Sequence, residues 1–119
     1  MYFVDRSAVV AKPTAAFLQW LNGVEDADLD LTLAQLRSDC TVLLVPECDT
    51  PEQVIAYIGE RYEAIFQAEL SAWYGDPKLW PQDMSLSAFW TFFEGDVHDM
   101  VLDMEAGDMQ LAPVLDNMM

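Results

Sequence analysis

"TVLLVPECDTPEQVIAYIGERYEAIF", residues 41–66, decides the fold. Its first six residues are apolar or β-branched without a break. Such a run predicts a strand covered on both faces, or a central strand of its sheet. A helix start follows. Thr50 stands as N-cap, Pro51 at the first helical position and Gln53 two residues further on. Thr-x-x-Gln is a capping box, and proline is already shaped for that first position. Glu52 in the first turn suits the helix dipole. Val54, Ile55, Ile58, Tyr62, Ile65, Phe66, Glu69 and Leu70 then recur at helical spacing, all apolar but Glu69. One long helix is expected, ended by Gly75 and Pro77.

Upstream, "RSAVVAKP" (6–13) predicts a strand that stops at Pro13. "TAAFLQWLN" (14–22) predicts a short helix with Thr14 as cap and Gly23 as left-handed terminator. "LTLAQLRSD" gives a second short helix, capped by Asp30 or Thr32. Downstream, "SLSAFWTFF" (85–93) predicts a helix capped by Asp83 or Ser85, with Leu86, Phe89, Trp90 and Phe93 on one face and Gly95 closing it. "DVHDMVLDM" (96–104) alternates as a last strand should, and the final dozen residues read as frayed. The order is β-α-α-β-α-α-β. The expected fold is α+β: one compact domain over 1–119, a three-stranded sheet packed against helices. A parallel βαβ arrangement is the alternative.

"TVLLVPE", "YIGERYEAIFQAELSAW", "LWP" and "FFEGDVHDMVLD" together resemble a family of small bacterial proteins of about this length. The similarity covers nearly the whole chain. That family has no activity attached to it, so the resemblance implies relatives rather than a reaction. It has Ser at the position of Asp99, where this chain departs.

Charge separates this chain from an ordinary small domain. It carries 21 Asp and Glu against five Lys and Arg, a formal net charge of −16, yet 53% of its residues are hydrophobic. High charge with high apolar content predicts a packed core under an acidic skin, not a disordered tail. Such a skin repels nucleic acid and anionic membrane and attracts basic proteins, most strongly at low salt. Arg6, Lys12, Arg37, Arg61 and Lys78 are too few and too scattered to neutralise a phosphate backbone. No stretch approaches the length of a membrane span, and the N-terminus lacks the pattern of a signal peptide. A cytoplasmic location is therefore expected. Cys40 and Cys48 flank an extended segment, roughly 26 Å apart at about 3.3 Å per residue. A disulfide needs Cα atoms within about 7 Å, so reduced thiols are expected.

The acids of "VEDADLDLT" (24–32) invite a calcium loop, because Asp26, Asp28 and Asp30 alternate. An EF-hand also needs Gly at its sixth position and a bidentate Glu at its twelfth. Those positions hold Leu31 and Arg37, so an EF-hand is excluded. A solvated acidic turn is the plainer reading, with loose cation binding by Asp26, Asp28 and Asp30 beside it. No other metal and no cofactor is expected.

Catalytic candidates are sparse. Cys48 precedes a helix N-terminus, whose positive end favours a thiolate, but Glu47, Asp49 and Glu52 oppose that. His98 is the sole histidine, and a core-edge residue bonded locally is the plainer reading. An enzyme would use Cys48 or His98 with a carboxylate such as Asp99. Phosphate-binding and nucleophile-elbow motifs are absent. For partner binding, Trp73 and Trp80 bracket the "GDPKLWP" loop and Phe92 lies off the apolar stripe of its helix, where it is expected to be exposed. Glu94, Asp96 and Asp99 form an acidic group beside it. The reading favoured is a small acidic cytoplasmic interaction or regulatory protein that binds a basic protein. A nucleic-acid mimic and a small enzyme are the alternatives, and adaptation to high internal salt would explain the acidity without any partner.

Overall fold

The computed structural model describes residues 1–25 and 28–114. Three antiparallel strands form the main sheet: β2 (Arg6–Pro13), β3 (Thr41–Pro46) and β4 (Phe93–His98), in the order β3-β2-β4. A short ribbon pairs β1 (Tyr2–Phe3) with β5 (Leu102–Asp103). The helices are α1 (Ala15–Gly23), α2 (Leu33–Leu36), α3 (Pro51–Gly59), α4 (Tyr62–Ser71) and α5 (Leu86–Phe92). The order of strands and helices roughly matches, with the β1–β5 ribbon and a third helix after β3 added, and the α+β class and the three-stranded main sheet stand. The parallel alternative does not, because both neighbours of β2 run against it.

Strand β2 alternates strictly, with Ser7, Val9, Ala11 and Pro13 buried and the residues between them less so. That period of two gives the sheet one covered face. The helices pack on it, and their buried side chains complete the core: Phe17 and Leu21 from α1, Val54 and Ile58 from α3, Phe66 and Leu70 from α4, Phe89 from α5. Most of the ring contacts are edge-on or tilted, as ring quadrupoles prefer.

Four local expectations are corrected. The long helix is broken: α3 ends at Gly59, and Arg61 takes φ −127°, ψ 13°, outside helical geometry, before α4 resumes. Ile58 before the turn and Phe66 after it are both buried. Gly23 does not adopt a left-handed conformation. Thr14 does not cap α1 with its side chain; its hydroxyl donates to the Thr91 carbonyl at 2.6 Å, and its N–H donates to the Phe92 carbonyl at 2.9 Å. The start of α1 is thereby tied to the end of α5.

Phe93 is the fourth correction. It begins β4 instead of ending α5, so the last main-sheet strand is 93–98 and not 96–104. Gly95 therefore lies within a strand. A Cβ there would sit 3.2 Å from Ile55 Cδ1 and 3.4 Å from Val9 Cγ1, so the missing side chain lets α3 approach the sheet. Three helix starts follow the sequence closely. Thr32 with Gln35 and Thr50 with Gln53 form reciprocal capping boxes, and Ser85 accepts from the Ala88 N–H.

The apolar run of β3 was expected to be covered on both faces or to lie at the centre of the sheet. It is an edge strand instead, and Val42 and Leu44 are 55% and 48% exposed.

Candidate functional site

Four of the five basic side chains are engaged by acids of the chain. Arg6 meets Asp5 at 2.8 Å, Lys12 meets Asp96 at 3.2 Å, Arg61 meets Glu60 at 3.4 Å, and Arg37 approaches Glu94 at 3.7 Å. Each pair is exposed or half-exposed and contributes about 0–1 kcal/mol to stability. Their larger consequence is electrostatic: four cations are offset within the chain, and most of the surplus acid is left facing solvent.

The uncovered face of the sheet is divided. On the β3 side it presents Val42, Leu44 and Pro46 opposite Val10, Ala8 and Arg6. On the β4 side it presents Glu94, Asp96 and His98 opposite Lys12, Val10 and Ala8. One edge strand thus carries charge and the other carries none. Charged side chains guard an edge against strand pairing, so β4 is protected and β3 is bare.

Glu94, Asp96 and Asp99 do not form a single patch. Glu94 and Asp96 lie on the open sheet face, whereas Asp99 follows the end of β4 and accepts a hydrogen bond from the buried Ser7 hydroxyl at 3.3 Å. There Asp99 shares an open depression with Cys48. Ser7, Glu47, Cys48, Asp49 and Asp99 line one open depression of about 370 Å³. The Cys48 thiol donates to the Pro46 carbonyl at 3.4 Å. His98 is exposed on the open sheet face and does not line this depression, so the two catalytic candidates are not brought together. Its expected place at the edge of the core is corrected accordingly. Both cysteines are free, as expected.

The aromatics separate as well. Trp73 is 41% exposed. Trp80 is half-buried, and its indole N–H donates to the Tyr74 carbonyl at 2.8 Å. Phe92 is not the exposed aromatic expected from its helical position. It packs against Phe17, Trp20 and Phe66 at centroid distances of 5.8, 6.3 and 5.6 Å. The expectation failed because α1 and α4 approach α5 from a second side, and helical spacing within α5 cannot report that.

Asp26 lies outside the described residues. Asp28 adopts φ 54°, a left-handed conformation that Asp tolerates better than most residues. Asp28 and Asp30 are both exposed. Among the described residues no group of three or more His, Cys, Asp or Glu side chains is placed to hold a metal ion.

Glu69 is the residue that sequence reasoning passed over. It was visible as the single acid on the apolar stripe of residues 54–70. Burial raises its pKa above the ordinary 4.5, and a hydrogen bond with the Thr41 side chain partly opposes that shift. Glu69 borders a small cavity of about 50 Å³ with Cys40, Asp39, Trp73 and Phe93. On its other side opens a larger groove of about 460 Å³ between β3 and α4, lined by Thr41, Val42, Leu43, Ala64, Ile65, Ala68, Glu69 and Val114. That volume falls within the roughly 300–1,000 Å³ typical of ligand pockets. Most of its lining is aliphatic.

No helix among the described residues is long and apolar enough to cross a membrane. In comparisons with protein-family models, curated proteins and solved structures, nothing matches this chain.

Proposed function

We propose that this chain is a small acidic docking protein, resident in the cytoplasm, that binds a basic protein partner. The observation that carries this reading is the state of the charges: four of the five cations sit on acids of their own chain, and among the described residues only Lys78 remains to balance the other acids. A field of that sign speeds encounter with a basic protein and falls off with salt. Trp73, exposed at the end of α4, supplies an aromatic contact of the kind that dominates interface energy. Trp80 adds a half-buried aromatic, Phe92 is internal support, and Asp99 is steering charge away from Trp73, while Glu94 and Asp96 on the open sheet face are partly offset by Arg37 and Lys12.

Affinity capture from native lysate tests the proposal. A basic protein retained in dilute buffer and released by about half-molar salt, where the screening length is only a few Å, supports it. Capture of nothing at either salt contradicts it.

The nucleic-acid mimic is the weaker reading. It needs carboxylates in a phosphate-like row, and on the open sheet face Glu94 and Asp96 each stand beside a cation. An enzyme reading draws support from one place, the convergence of Cys48, Asp99 and Ser7. Fast alkylation of Cys48 at neutral pH would favour it, and slow alkylation would count heavily against it.

A further inference from the structure

We propose that the groove between β3 and α4 is a strand-docking site, which takes an extended, aliphatic segment of a basic protein and meets a Lys or Arg of that segment with Glu69. The inference rests on the acidic-docking reading for the sign of its partner and adds the place and shape of the contact.

Three observations converge. The first is the free edge. Strand β3 pairs with β2 alone among the described residues, and no backbone group from outside the sheet bonds to Thr41–Pro46. An edge strand directs alternate N–H and C=O groups outward, ready to pair with another extended chain. Natural proteins usually guard such an edge with charge, as β4 does here, yet β3 has none.

The second is the lining. Val42 belongs to the open face of the sheet and Leu43 to the helix-facing side, and both line the groove. The groove therefore follows the strand edge itself. Its far wall is Ala64, Ile65 and Ala68, one face of α4, where two small side chains leave room for an added strand. Val114 of this chain's own later segment already touches the groove, so an aliphatic side chain fits there.

The third is the charge. Glu69 stands where the groove meets the small cavity, and no Lys, Arg or His lines either space. An anion held half-buried without a cation favours a ligand that brings one. An apolar strand with a single basic residue satisfies the edge, the aliphatic walls and the carboxylate together. A neutral or acidic strand satisfies only the first two.

The test uses the full chain, isotope-labelled for NMR, and a ten-residue peptide alternating Val and Ser with one central Lys. A second peptide has Glu in place of that Lys. The expected result is shifted and exchange-protected amides within Thr41–Val45, with the Lys peptide bound about tenfold more tightly than the Glu peptide. Glu69→Gln should remove most of that preference. Glu63→Gln, on an exposed site of the same helix, removes an equal charge and should keep it.

Binding of the Lys peptide that leaves β3 unaltered overturns the groove and leaves the acidic-docking reading standing. So does failure of both peptides when lysate capture still yields a salt-sensitive basic protein. Failure of peptides and capture alike removes both. Concentration-dependent dimerisation that protects β3 in the free protein would assign the groove to a second copy instead. Protection in the free monomer that disappears when the chain is ended at Ala112 would assign it to the chain's own following residues. Either outcome overturns the proposal.

Discussion

Glu69 of α4 and Thr41 at the head of β3 line the same small cavity and the same groove, which sets a half-buried carboxyl beside the free edge of the sheet. The helix supplies the acid and the strand supplies the hydroxyl that partly offsets its burial.

Replacement of this acid by a neutral isostere should stabilise the protein. The folded-state pKa of Glu69 is raised, so the folded chain holds the proton more tightly than the unfolded chain does. Stability is then lost as pH rises from the ordinary 4.5 through the raised value, because the charged form is penalised only when folded. Glu69→Gln should therefore unfold at higher temperature than the parent at pH 7–8. The gain should shrink toward zero as pH falls to about 4.5. Thermal melts across pH check this, and a gain that grows on acidification would contradict it.

Gly95→Ala places a methyl group 3.2 Å from Ile55 Cδ1 and 3.4 Å from Val9 Cγ1. Overpacking of a filled core costs about 1–3 kcal/mol. Urea denaturation should show a loss in that range. The double variant Gly95→Ala, Ile55→Val should recover part of it by retracting the methyl that clashes.

Phe92→Ala tests whether this ring is support or contact. It touches Phe17, Trp20 and Phe66, so its truncation should cost about 3 kcal/mol of stability, toward the low end for a phenylalanine because the ring is only half-buried. Trp73→Ala should cost much less stability and should weaken partner binding at least tenfold. The reverse pattern would exchange their roles.

Loss of the capping hydroxyl at the start of α3 isolates a local term. Thr50 accepts from the Gln53 N–H at 3.2 Å, and the Gln53 side chain reaches back to the Thr50 N–H at the same distance. Thr50→Ala should destabilise by about 1 kcal/mol. Denaturant midpoints measure it, and Thr50→Ser should be close to the parent.

Where local signals sufficed, the sequence was a good guide. The strand "RSAVVAKP" ends at Pro13 as its sequence predicts, and the Thr50–Gln53 capping box was legible because its partners lie three residues apart, whereas Thr32 was only one of two candidate caps and its box with Gln35 was not foreseen. Non-local facts were hidden. "TVLLVP" looks like a central strand because apolar residues recur without a break, yet it lies at the sheet's edge, where Thr41, Val42 and Leu43 line a groove. Phe93 satisfies a helical stripe and a strand alternation equally well, since four residues separate it from Phe89. Only the pairing of Pro13 with Phe93 decides between them. The Ser7–Asp99 contact spans 92 residues, and no spacing rule reaches that far.

Salt dependence of partner binding tests the central claim most directly. The basic protein captured from lysate should be titrated against the pure chain by calorimetry, at about 50 mM and about 500 mM salt. The account predicts an affinity that falls at least tenfold between the two, with the fold itself intact in both, as circular dichroism would report. An affinity unchanged by salt would contradict it, and so would a chain that folds only at high salt, because its acidity would then reflect the solvent it lives in and not a partner.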